Sequence, residues 1–94
     1  MRMQTIWKYP ISAPLEHTAV TLHLPQGARI LCVHAQNNIP CLWALVDPEA
    51  PLMPRQLVVL STGELIDDPS QLGAFLGTVH LYNGALVFHY FLAP

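Results

Sequence analysis

Apolar and polar positions in this chain fall into short runs that alternate or stay apolar, and Pro, Gly or Asn closes almost every run. "MQTIWKYP", "TAVTLHLP", "ARILCVHAQ", "IPCLWALVD", "RQLVVLST", "AFLGTVHLY" and "ALVFHYFL" are rich in β-branched and aromatic residues, and together they predict seven strands. Nine prolines and five glycines interrupt the chain. No run keeps a 3.6-residue apolar period over the roughly 11 residues a convincing helix needs. The pattern therefore predicts an all-β fold: a compact antiparallel sandwich or barrel of about seven short strands. One short helical turn is expected near residues 67–73, with Asp67 or Asp68 as cap, Pro69 at the first helical position and Gly73 at the exit.

Three turns follow from residue chemistry. "YNGA" supplies Asn83 and Gly84 for the two positive-φ positions of a type I′ hairpin turn, which pairs Tyr82 with Ala85, His80 with Val87 and Thr78 with His89. "QNNI" does the same less strongly with Asn37 and Asn38, so that Gln36 faces Ile39, His34 faces Cys41 and Cys32 faces Trp43. "LPQGA" predicts a type I turn with Pro25 second and Gly27 fourth.

At 94 residues the chain has room for one domain, 1–94. Charged residues make up 11% of the chain and hydrophobic residues 52%, where globular proteins average roughly 25% charged. So little charge on a small surface predicts that copies of the chain cover one another in a homo-oligomer. Arg2, Lys8, Arg29 and Arg55 are the permanent cations and the formal net charge is −2, too little positive charge to track a duplex backbone. No apolar run approaches the roughly 18 residues of a membrane span. "MRMQTIWKYP" lacks the apolar stretch of a secretion signal, so the expectation is a cytoplasmic protein with Cys32 and Cys41 as free thiols.

Candidate chemistry is sparse. The predicted register gathers Cys32, His34 and Cys41 on one strand face, a set of soft ligands, but without the paired-cysteine spacing of structural zinc sites; no metal or other cofactor is expected. Thr78, His80, Tyr82 and His89 share the outer face of the second hairpin, where two histidines are more often a polar surface than an acid and base. Ser12, Ser61 and Ser70 lack a nucleophile-elbow context, and no glycine-rich phosphate loop is present, so an enzyme is not expected. Rings and cations offer a different site. Trp7, Tyr9 and Trp43 could stack on a planar ligand, Lys8, Arg29 and Arg55 could meet its phosphate, and Thr62 and His89 could add polar contacts.

The strings "TIWKYPI", "PQGARILCVHAQNNIPCLWALVDPEA", "STGELI" and "GALVFHYF" resemble a family of small proteins of unknown function carried by phages and prophages. The resemblance spans most of the chain, leaving out mainly residues 51–55 and 67–72. It brings no catalytic residues. This chain departs from the family pattern, which has Ser in place of Cys32, Gln in place of His34 and His80, and a pair more like His-Pro in place of Glu64 and Leu65; the departures weigh against zinc and against a role for His80. Short phage accessory proteins often act on host defence. The resemblance thus implies a counter-defence protein of the host cytoplasm that sequesters a small nucleotide-like immune signal in an oligomer. The alternatives are an inhibitor that binds and blocks a host defence protein, such as a CRISPR-type effector, and a virion accessory.

Overall fold

The computed structural model describes residues 2–11 and 19–94. Among the described residues seven strands are present: β1 (Thr5–Pro10), β2 (Ala19–Pro25), β3 (Arg29–Gln36), β4 (Ile39–Val46), β5 (Leu52–Ser61), β6 (Phe75–Leu81) and β7 (Leu86–Leu92). All pair antiparallel, in a three-stranded sheet A of order β1-β4-β3 and a four-stranded sheet B of order β2-β5-β7-β6. The architecture is an open sandwich rather than a barrel. Among the described residues the helical content is one 3₁₀ turn, Pro69–Gln71, capped by Asp68, whose carboxylate accepts the Ser70 N–H at 3.0 Å.

Both hairpin registers follow the turn chemistry. Asn37 and Asn38 lie in the left-handed region at φ 52° and 61°, and the ladder runs Gln36↔Ile39, His34↔Cys41, Cys32↔Trp43. Asn83 and Gly84 are left-handed too, and His80↔Val87 and Thr78↔His89 pair as expected, but the ladder closes at Leu81↔Leu86, and the expected Tyr82–Ala85 pair gives way to a four-residue turn in which the Gly84 N–H donates to the Leu81 carbonyl at 3.1 Å. Tyr82 joins them at φ 52°, a conformation an aromatic side chain adopts only when its surroundings hold it there.

Two expectations need correction. The β2–β3 turn closes through the Ala28 N–H donating to the Pro25 carbonyl at 3.0 Å, so Pro25 is its first residue and Gly27, at φ 80°, its third. A positive φ at the third position is the requirement of a type II turn, not type I. Strand β5 also begins at Leu52, three residues before the predicted run, and takes Pro54 into its ladder opposite His23. Proline is tolerated there because β7 pairs with β5 only from Leu57 to Ser61, which leaves Pro54 with a neighbour on one side.

The core lies between the sheets. Leu42, Ala44 and Val46 of β4 and Val33 of β3 meet Leu57 and Val59 of β5, Val79 and Leu81 of β6, and Phe88 and Tyr90 of β7. Each large apolar side chain removed from water contributes roughly 1.5–3 kcal/mol, so this layer is the main source of stability. One side of the sandwich is nearly shut, because β3 and β6 press together where a Cβ on Gly77 would stand 2.6 Å from the Val33 carbonyl oxygen. Each of these two strands carries a bulge, between Ile30 and Cys32 and between Phe75 and Gly77, which lets it bend toward the other. The opposite side is bounded by the outermost strands β1 and β2.

Candidate functional site

Alternation along β1 divides the residues singled out in its sequence. Trp7 and Tyr9 pair with Ala44 and Leu42 and so face the core side, whereas Lys8 pairs with Trp43 on the outer face of sheet A. Tyr9 places its hydroxyl out of solvent with no hydrogen-bond partner among the described residues, and burial raises its pKa above the ordinary value. Trp7, at the margin of the sheet, keeps 38% of its surface exposed. The two tryptophans therefore sit on opposite faces of one sheet and do not form a single stacking platform within a chain.

The outer face of sheet A carries the closest grouping of the predicted ligand residues. Trp43 is half-buried at its centre, flanked across the ladder by Lys8 on β1 and Cys32 on β3. Arg29 pairs with Leu45, the next residue of β4 on that face. The Lys8 ammonium reaches over β4 and donates to Gln36 Oε1 at 2.7 Å, a neutral partner, and among the described residues no carboxylate compensates its charge. None of the three strands contains an acidic residue. Gln36 was not singled out from sequence, since only the fold brings strands β1 and β3 to either side of β4.

The remaining candidates lie elsewhere. Arg55 pairs with Leu22 on sheet B and donates to the Ala28 carbonyl at 3.3 Å, which ties it to the β2–β3 turn. Arg2 is bound to Asp47 at 2.9 Å, and this bond together with the Glu49 N–H holds the Asp47 carboxyl below its ordinary range. His89, on the outer face of sheet B, is held at both nitrogens: Nε2 lies 2.7 Å from the Thr62 hydroxyl and Nδ1 2.9 Å from the Thr78 hydroxyl. A neutral imidazole there donates to one threonine and accepts from the other. Thr62 and His89 are thus brought together as a pair, at a distance in sequence of 27 residues, but on the opposite sheet from Trp43.

A cavity of about 670 Å³ lies between the outer face of sheet B and the segment that carries the 3₁₀ turn. Val58 and Leu60 form part of its apolar lining, and Glu64, Asp67 and Asp68 line it with no Lys or Arg among the described residues. No predicted ligand residue lines it. Its carboxylates oppose an anionic occupant and set it apart from the cationic face of sheet A. Among the described residues no group of three or more His, Cys, Asp or Glu side chains is arranged to hold a metal ion. Cys32 and Cys41 are free thiols, and Cys41, 2% exposed, contacts the Ile39 carbonyl. Among the described residues no helix is long and apolar enough to cross a membrane.

A family model, Domain of unknown function (DUF7352), matches residues 3–94. No curated protein and no solved structure matches the chain.

Proposed function

Starting from a chain that belongs to the DUF7352 family, we propose a non-catalytic binding protein that captures a small nucleotide-like anion on the outer face of sheet A. One observation carries the reading. The half-buried Trp43 ring shares that face with Lys8 and Arg29, while Glu64, Asp67 and Asp68 gather at the cavity of the other sheet. A planar ring gives a base something to stack on, and two cations without carboxylate partners among the described residues favour phosphate. Resemblance to phage and prophage proteins supplies the setting, in which an oligomer in the host cytoplasm withholds an immune signal.

Calorimetric titration of the purified protein with cyclic dinucleotides and cyclic ADP-ribose isomers tests this reading. At least one is expected to bind with loss of tryptophan fluorescence, and Trp43→Ala and Arg29→Glu should each weaken it tenfold or more, on the order of 1.4 kcal/mol. Tyr9→Phe should bind as the parent does. An absence of heat and of fluorescence change across the panel would overturn it.

A different observation favours a protein target. Phe75 and Phe91 form a tilted ring pair at 5.4 Å on the outer face of sheet B, with Phe75 largely exposed. Such an anchor suits an inhibitor of a host defence protein, and a single host partner lost on Phe75→Ser would support that reading.

A further inference from the structure

Strand β1 has one neighbour, β4, and among the described residues no strand lies along its other edge. Its ladder is continuous from Thr5↔Val46 to Pro10↔Cys41, with no bulge to turn it away from a partner. The direction of its free groups follows from one bond. Just beyond β1 the Ile11 N–H donates to the Pro40 carbonyl at 2.8 Å, so Ile11 faces β4. Backbone groups alternate sides along a strand, so Thr5, Trp7 and Tyr9 also face β4, while Ile6, Lys8 and Pro10 turn theirs outward. Pro10 accordingly lacks an N–H only where β4 has no use for one.

We propose that two copies of this chain pair through β1, antiparallel about a twofold axis at Trp7, joining their two A sheets into one six-stranded sheet. In that register Ile6 of each copy exchanges N–H···O=C bonds with Lys8 of the other. That forms four backbone hydrogen bonds and uses every free donor of Ile6 and Lys8. Gln4 falls opposite Pro10, which then needs only to accept. Trp7 meets Trp7 of the second copy as a non-hydrogen-bonded pair, the spacing at which side chains approach most closely. The two indoles, each 38% exposed in the single chain, then cover each other. The pairing is self-complementary, as a twofold interface must be.

The consequence for the outer face rests on the ligand reading above. Lys8 of one copy lies beside Ile6 of the other, and each ammonium leans away from the axis over its own β4 to Gln36, so the joined outer face carries two twofold-related groupings of Lys8 and Trp43. The strands bearing those rings are three strand spacings apart, about 14 Å. The joined face therefore presents two equivalent cationic sites, one per chain.

Light scattering and sedimentation velocity over a wide concentration range test the pairing. The parent should sediment at twice the chain mass. Ile6→Pro removes an N–H that faces away from β4 and should give a monomer with the parent's circular dichroism, because proline is tolerated on the free side of an edge strand. Trp7→Cys, in a background with Cys32→Ser and Cys41→Ser, should oxidise to a covalent dimer, whereas Tyr9→Cys in that background should not. A parent that is monomeric throughout, or a folded Ile6→Pro variant that stays dimeric, overturns the pairing; if Ile6→Pro does not fold, the two cysteine variants decide. Titration with cyclic di-AMP separates this from the ligand reading. A dimer that binds nothing keeps the interface and loses the ligand, and a monomer that binds one equivalent does the reverse.

Discussion

Asn38 at the tip of the β3–β4 hairpin accepts, through its side-chain oxygen, the backbone N–H of Tyr82 at the tip of the β6–β7 hairpin, at 2.9 Å and across 44 positions of sequence. Both residues are left-handed, at φ 61° and 52°. The bond thus joins two strained turns, one from each sheet, at one end of the sandwich. It gives a physical reason for an aromatic residue to remain in a conformation that costs about 1–2 kcal/mol.

Asn38→Ala removes the acceptor and the tolerance of positive φ together. A loss of about 2 kcal/mol is expected, from roughly 1 kcal/mol for the hydrogen bond and a similar amount for the backbone. Asn38→Asp keeps both features and should lose less than half as much. Urea unfolding midpoints measure the difference, and equal losses in the two variants would show that the tie is not stabilising.

Gly77 is required by the closeness of β6 to β3. A methyl group there would meet the Val33 carbonyl oxygen at 2.6 Å, and both sides of the contact are backbone with no side chain to swing away. Gly77→Ala should therefore cost on the order of 3 kcal/mol, at the upper end for overpacking. Gly84→Ala faces open space and carries only the penalty of its positive φ, so it should be the milder of the two in the same urea assay.

Tyr90 is fully buried, and its hydroxyl finds no hydrogen-bond partner among the described residues. Tyr90→Phe should leave the fold intact and raise stability by up to about 1 kcal/mol, since an unmet buried hydroxyl is removed without a cavity. Burial also pushes its pKa from 10.0 up to about 12. The unfolded chain then loses this proton at a lower pH than the folded one. Stability supplied by the neutral phenol is complete below pH 10 and falls as pH rises toward 12. The variant should show a shallower decline over that window in thermal melts, and an unchanged slope would contradict the assignment.

The cysteines report on the face of sheet A. Cys32 is half-buried beside Trp43, and Cys41 is almost entirely covered. A thiol reagent should modify Cys32 in the native protein and Cys41 only after unfolding, as followed by intact mass. A ligand lying on Trp43 should slow the first reaction and leave the second unchanged. Native modification of Cys41 first would count against the packing described.

The sequence alone determined the strands and much of their local pairing. Alternation in "ILCVHAQ" and "LVFHYF", with Asn-Asn and Asn-Gly between partner runs, leaves each hairpin one register in which loop length, backbone hand and apolar face agree. The helical turn at Asp68 was legible for the same reason, because a cap and a proline act on their immediate neighbours. Only the tertiary structure decided which strands lie side by side, since backbone hydrogen bonds are alike in every strand and carry no address. That choice sends Trp7 and Trp43 to opposite faces of sheet A, binds Arg55 to a turn, joins Thr62 to His89 and carries Lys8 across β4 to Gln36. A site assembled from several strands becomes visible only when burial of the shared core has set their order.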